Sequence, residues 1–96
     1  MRLTRSQIDA IVAVVRAEAE STARAVVYGS RLDDNARGGD VDLLIESDID
    51  QSPIQRAKIK VDLEAILGLP VDVLVLKRGT PPTAFQRIAL ARGVAL

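Results

Sequence analysis

Apolar residues recur along the chain with two periods, one typical of helices and the other typical of strands. The first helix is predicted to begin after Thr4, because Thr4 and Gln7 have the spacing of a capping box, and to end near Glu20. Its apolar face should contain residues spaced three and four apart: Ile8, Ile11, Val12 and Val15. This is the pattern of a helix that packs one face against a core.

Two further helices are predicted, the first of them from the residues at its ends. Ser52 followed by Pro53 is typical of a helix N-terminus, and Gly68 with a proline two residues later is typical of a helix end. The second helix should therefore span residues 53–67. The last helix is expected over residues 83–91.

Short runs of apolar, mostly β-branched residues predict strands at residues 25–28, 40–46 and 71–76. The third run is almost entirely apolar, so we expect it to be buried on both faces. Residues 93–96 have the pattern of a short edge strand. Because residues 29–39 are a short connection for a right-handed crossover, the first two strands should pair antiparallel. The sequence thus predicts one α/β domain of the α+β type, a small mixed β-sheet flanked by helices.

Composition narrows the chemistry available to such a domain. The 96 residues include no cysteine and no histidine, which excludes disulfides, Cys or His zinc sites, thiol nucleophiles and imidazole triads. The remaining oxygen ligands suit Mg²⁺ or Mn²⁺. Acidic and basic residues balance at 13 each, so strong nucleic-acid binding is not expected. Without a signal-type N-terminus or a membrane-length apolar run, the chain is expected to be cytoplasmic.

Candidate functional residues lie at the ends of the predicted strands. Gly29 and Ser30 follow the first strand, and Asp40 and Asp42 stand at the start of the second. Residues two apart in a strand point to one face, so these carboxylates should converge close to a turn that can receive a phosphate. Glycine at that turn would let the backbone approach the phosphate closely.

Asp72 is the polar residue within the third apolar run. A buried carboxylate without a partner is unfavourable, and carboxylates gathered at one point repel one another and raise each other's pKa. Divalent cations between Asp40, Asp42 and Asp72 would remove both penalties. Such ions can also hold the attacking and leaving oxygens of a phosphoryl transfer.

Other charged residues are better explained as parts of the solvated surface. Asp48 and Asp50 repeat the spacing of the paired aspartates, but they follow the strand and should be exposed. Asp33 and Asp34 are most simply loop acids that pair with nearby arginines, and Lys60 should lie on the solvated face of its helix.

The combined pattern resembles the minimal nucleotidyltransferases of the DNA polymerase beta superfamily, through Gly29-Ser30-Arg31, Asp40-Val41-Asp42 and Asp72. The resemblance covers nearly the whole chain, with one departure, since Gly39 stands where a serine is common. It implies that the three aspartates bind Mg²⁺ or Mn²⁺ and that Asp72 can activate an acceptor hydroxyl. It also implies that Gly29 and Ser30, with Arg31 beside them, bind the phosphates of a nucleoside triphosphate.

The same resemblance implies the transfer of a nucleoside monophosphate, most simply AMP from ATP, to an acceptor hydroxyl. Many minimal nucleotidyltransferases are antitoxins that modify a tyrosine of a HEPN-domain toxin, so a HEPN-type toxin is the expected partner. The alternative is a non-catalytic antitoxin or complex subunit that neutralises its partner by binding alone. The sequence leaves open the base preference and whether the chain forms homo-oligomers.

Overall fold

A computed structural model of the protein describes residues 2–32 and 39–96. The helices are α1 (Arg5–Glu18), α2 (Pro53–Leu67) and α3 (Ala84–Arg92), and the strands are β1 (Arg24–Tyr28), β2 (Val41–Ser47), β3 (Val71–Lys77) and β4 (Val94–Ala95). A short 3-10 turn, Gly29–Leu32, follows β1. The predicted helices and strands are therefore confirmed to within a few residues at their ends.

The helices begin and end where side chains satisfy the free backbone groups. At the start of α1, the Thr4 hydroxyl accepts from the Gln7 N–H at 3.1 Å, and the Gln7 side chain accepts from the Thr4 N–H at 2.8 Å. The same reciprocal pair, formed by Thr83 and Gln86, opens α3. Gly68 ends α2 with a left-handed φ of 67°, a conformation that glycine adopts without strain.

The strands form one mixed sheet in the order β3-β2-β1-β4. β1 pairs antiparallel with β2, as the short connection predicted, and β4 pairs antiparallel with the other edge of β1. α2 carries the chain from β2 back to the start of β3, so these two strands are parallel. None of the helices in residues 2–32 and 39–96 is long and apolar enough to span a bilayer.

The two faces of the sheet are covered to different extents. α1 and α2 cover one face, where they bury Ile11, Ile59 and Leu63 against the odd-numbered residues of β2, such as Leu43. α3 covers part of the other face, where Ala89 packs with a smaller buried group: Val26, Leu44 and Leu76. The first residues of β2 and β3 on this second face are left beside a cavity.

Two expectations from the sequence are wrong in detail. β3 is an edge strand of the sheet, not a strand buried on both faces, and only Val71 and Leu76 within it are buried. Its apolar side chains pack on one face of the sheet with the core under α2, and on the other face with the smaller group under α3. The second strand begins at Val41, whose N–H donates to the Pro70 carbonyl at 2.9 Å, so Asp40 precedes the strand.

Replacement of Ile59 by alanine should strongly destabilise the fold. Ile59 is fully buried between α2 and the sheet, so Ile59→Ala should lower the free energy of unfolding by about 2–5 kcal/mol. Ile66 lies on the same helix and is 56% exposed, so Ile66→Ala is the matched control and should change it by about 0.5 kcal/mol at most. Urea denaturation measures both, and equal losses would show that α2 does not pack as described.

Candidate active site

The register between β2 and β3 places two carboxylates side by side. Asp42 is paired with Asp72 across the parallel ladder, and Tyr28 is paired with Asp42 from the other side. Neighbouring strands lie about 4.8 Å apart, and directly paired residues point to the same face of the sheet. The two aspartates that sequence analysis placed on different strands are therefore brought together.

The Asp42 carboxyl lies in an unfavourable electrostatic environment. Partial burial raises its pKa, as do the negative charges of Asp72 and Asp40 and a hydrogen bond to the Asp72 side chain. Burial, followed by the charges of Asp42 and Asp72, also raises the pKa of the Tyr28 hydroxyl. The site is thus unfavourable to further negative charge unless cations enter it.

Gly29 lets the turn after β1 pass directly against Asp42. Its φ is +79°, and a side chain at this position would collide with Oδ2 of Asp42. Gly29 was predicted to let the backbone approach a phosphate closely. In the structure, its lack of a side chain makes room for the Asp42 carboxylate. Ser30 lies in the same turn, but its side chain is outside the described part of the structure.

A cavity of about 730 Å³ opens over these residues. Tyr28, Gly29, Asp42 and Asp72 form its polar side, and α3 contributes an apolar wall in which Phe85 and Ile88 remain more than half exposed. Further residues complete the lining: Lys60, Val73, Leu74, Ala89 and Arg92. The cavity therefore has carboxylates, two cationic groups and an apolar wall within one space.

An aromatic pair joins the polar side of the cavity to its apolar wall. The rings of Tyr28 and Phe85 meet edge to face, with centroids 5.8 Å apart and planes at 78°. This contact fixes the first turn of α3 above the end of β1.

Asp40 and Arg31 occupy different positions from the other predicted site residues. Asp40 is exposed, precedes β2 and is not among the residues that line the cavity, although its charge acts on Asp42. Arg31 is only 8% exposed and donates to the carbonyls of Gly39 at 3.1 Å and Arg2 at 3.4 Å. Asp33, Asp34 and Arg37 lie outside the described residues.

The residues present fit a divalent cation, although within residues 2–32 and 39–96 no cluster of three or more acidic side chains is close enough to hold a metal ion. Asp42 and Asp72 provide hard oxygen donors in direct register. Partial burial, followed by the negative charges of Asp72 and Asp40, raises the pKa of Asp42 and so disfavours its charged form. A cation bound by the two side chains would supply compensating positive charge.

Several lining residues were not found from the sequence. Tyr28 precedes Gly29 in β1, so the strand alternation that places Asp42 on this face could have placed Tyr28 there too. Lys60 was assigned to a solvated helix face and instead reaches the cavity. Phe85 and Ile88 had no signal in the sequence, because the placement of α3 depends on the tertiary structure.

The surface interpretation of the second aspartate pair is supported by the structure. The Asp48 side chain is 58% exposed and lies 3.1 Å from Arg78, and that of Asp50 is 84% exposed and lies 3.7 Å from Lys77. These residues follow β2, at the end of the strand opposite to Asp42.

The chain belongs to the polymerase beta nucleotidyltransferase family, since the model of that family matches residues 9–96. No curated protein matches the sequence significantly. Two similar solved structures are a crystal structure of a mutant MntA–HpeT toxin–antitoxin pair and a tri-AMPylated HEPN toxin from Shewanella oneidensis in complex with an MNT antitoxin. Each match is 17% identical, with a TM-score of 0.77 over 97% of this chain and 71% of the other. The likeness confirms the expected fold.

Neutralising Asp42 should stabilise the folded protein at neutral pH and much less in acid. Because folding raises the pKa of Asp42, the stability linked to its carboxyl is present at low pH and lost as the pH rises through the folded-state pKa. Asp42→Asn avoids that loss. The free energy of unfolding of Asp42→Asn should therefore exceed that of the wild type at pH 7. This difference should shrink as the pH falls to about 3.5, below the ordinary pKa of aspartate.

Urea denaturation at several pH values measures this effect, with Asp50→Asn as the control on an exposed side chain. An advantage of Asp42→Asn that stays constant over the whole pH range would contradict the electrostatic account of the site.

Gly29→Ala should destabilise the fold more than an equivalent change elsewhere. Gly68 also has a positive φ, with no atom within 4 Å of an added Cβ, so Gly68→Ala measures backbone strain alone, about 1–2 kcal/mol. Gly29→Ala adds the collision with Asp42 and should lower the free energy of unfolding further. Equal losses in thermal or urea denaturation would show that Asp42 moves away freely.

Proposed function

We propose that this protein is an antitoxin that transfers AMP from ATP to a hydroxyl of a partner protein, a tyrosine of a HEPN-type toxin. The observation that carries the proposal is the alignment of Asp42 with Asp72 beside Gly29, at the polar side of an open cavity. Family membership supports the general reaction, nucleotidyl transfer. The AMPylated toxin in one of the similar structures supports this acceptor class.

Asp42 and Asp72, with Asp40 at the entry to β2, are the residues that would hold Mg²⁺ or Mn²⁺. When bound, the cation supplies positive charge that offsets the charge of the triphosphate. Gly29 and Ser30 would bind the phosphates through the turn that follows β1, which lies directly against Asp42 at the polar side of the cavity. The apolar wall at Phe85 would keep water from part of the cavity.

The proposed transfer forms one bond and breaks another. The acceptor oxygen bonds to the α-phosphorus of ATP while the bond from that phosphorus to the bridging oxygen of the β-phosphate breaks, and pyrophosphate leaves. Asp72, exposed at the start of the edge strand, would accept the proton of the acceptor hydroxyl. Asp42 is partly buried between Asp72 and Tyr28, so it is the less accessible carboxylate for that role.

The acceptor would come from another protein. The elements that the structure describes are used to build the sheet, its core and the cavity, and the open side of the cavity leaves room for a partner. The reaction would take place in the cytoplasm, where ATP and Mg²⁺ are available. The competing function is neutralisation of the partner by binding alone, which does not require two carboxylates in register.

Asp72→Asn should separate these two functions. The substitution removes the proposed base and a cation ligand while it relieves the repulsion with Asp42, so the protein should fold and bind its partner. The rate of AMP transfer should fall by about 10²–10⁴-fold. Incubation of the protein with a HEPN-domain partner, ATP and Mg²⁺, followed by intact mass measurement of the partner, gives the rate.

Asp50→Asn is the matched control, because Asp50 is exposed and lies at the other end of the sheet. If Asp72→Asn neutralised the toxin in cells as well as the wild type does, the protein would act by masking and the enzymatic proposal would be wrong.

A further inference from the structure

Two side chains of α2 bind the backbone immediately before Asp72. The Glu64 carboxylate accepts from the Val71 N–H at 2.9 Å, and the Lys60 ammonium donates to the Val71 carbonyl at 2.5 Å. Lys60 and Glu64 also bond to each other at 3.3 Å, one helical turn apart. We call this arrangement, formed by Lys60 and Glu64 on Val71, the α2 clamp.

The α2 clamp takes the place of a missing neighbouring strand. β3 is an edge strand, and the backbone groups of its successive residues point alternately towards β2 and away from it. The Pro70 carbonyl points towards β2, because it accepts a hydrogen bond from the Val41 N–H. The N–H and carbonyl of Val71 therefore point outwards, to the side where no strand of the described residues follows. Without Lys60 and Glu64, both groups would be bonded only to solvent.

The clamp holds the peptide planes on both sides of Val71. The plane between Pro70 and Val71 is bonded by Val41 on its inner side and by Glu64 on its outer side. The next plane, which leads directly to the Cα of Asp72, is bonded by Lys60 through its carbonyl. The main-chain direction at Asp72 is therefore fixed by side chains of a helix.

This reinforcement is confined to the part of the edge next to the carboxylate. Val73 and Val75 also point their backbone groups outwards, by the same alternation, yet none of the described side chains bonds to them. If the side-chain bonds served only to protect the edge of β3 from solvent, they would be expected at Val73 and Val75 as well as at Val71. Both bonds, the Val71 N–H first and Lys60 after it, lower the pKa of Glu64.

We infer that Lys60 and Glu64 are positioning residues that hold Asp72 in register with Asp42 for cation binding. This inference rests on the proposed function, because it assumes that the two aspartates bind a divalent cation. Partners that orient a metal ligand typically change metal affinity by about 10–100-fold when they are removed. Glu64 would act on the site through the Val71 N–H, and Lys60, which also lines the cavity, through the Val71 carbonyl.

The test uses the protein alone and Mn²⁺ as the probe. Glu64→Ala removes the acceptor for the Val71 N–H and should raise the Mn²⁺ dissociation constant roughly tenfold, with faster hydrogen exchange of the Val71 amide. Glu64→Gln keeps an acceptor oxygen and should restore most of the affinity. Electron paramagnetic resonance measures free Mn²⁺, and nuclear magnetic resonance measures the amide exchange.

α2 itself provides the matched control. Lys58 and Asp62 form a pair with the same spacing, at 2.9 Å, but they bond to no residue of β3. Asp62→Ala should therefore leave the Mn²⁺ dissociation constant within about twofold of the wild type. It should also leave the exchange of the Val71 amide unchanged.

Three results would overturn the inference. An unchanged Mn²⁺ affinity in Glu64→Ala, with faster exchange at Val71, would show that the clamp only protects the strand edge. An equal effect of Asp62→Ala would assign the change to helix stability. A wild-type protein that does not bind Mn²⁺ would overturn the proposed cation site, and with it the positioning role. The first two results, in contrast, would overturn the positioning role and leave the cation site in place.

Discussion

The alignment of Asp42 with Asp72 is the constraint on which the rest of the site depends. It follows from the parallel pairing of β2 and β3, which the crossover through α2 imposes. Like charges in adjacent strands are unfavourable, and burial of Asp42 makes them more so, as its raised pKa shows. The fold thus stores an electrostatic penalty at one point, and cation binding would relieve it there.

The unequal cover on the two faces of the sheet explains why this penalty can be tolerated. α1 and α2 bury one face completely at its centre, where Leu43 and Ile59 are inaccessible to solvent. α3 is shorter and buries the other face around Leu44, which leaves the preceding residue of that face, Asp42, beside the cavity. The core supplies the stability, and the uncovered end of the opposite face keeps the carboxylates in contact with water.

The sequence predicted the elements well because their signals are local. The hydroxyls of Thr4 and Ser52, which were predicted to lie at helix starts, accept hydrogen bonds there, and the short connection between the first two strands correctly predicted an antiparallel pair. The predictions from sequence were wrong or missing where the position of an element depends on the elements that pack beside it. The apolar run of β3 gave no indication that this strand lies at an edge, and the position of α3 beside the cavity depends on the whole fold.

The positions of some candidate site residues were also predicted from the sequence, because their signals are local. Gly29, Asp42 and Asp72 were identified correctly as neighbours, because turn, strand face and lone polar residue are readable in the sequence. The rule that residues two apart share a face did not extend to Asp40, because the ladder begins only at Val41. Whether the aspartates bind metal stays a prediction.

Arg31 shows how a motif residue can serve a site through the backbone. A guanidinium that is almost fully buried needs hydrogen-bond acceptors, and the structure provides the carbonyls of Gly39 and Arg2, while Nε has no partner among the described residues. The Arg31 carbonyl in turn accepts from the Arg2 N–H at 2.7 Å. These bonds tie the turn that contains Gly29 to the residue before Asp40. Phosphate binding by Arg31 stays a prediction, whereas its role in holding the entry to β2 against the turn follows directly from its bonds.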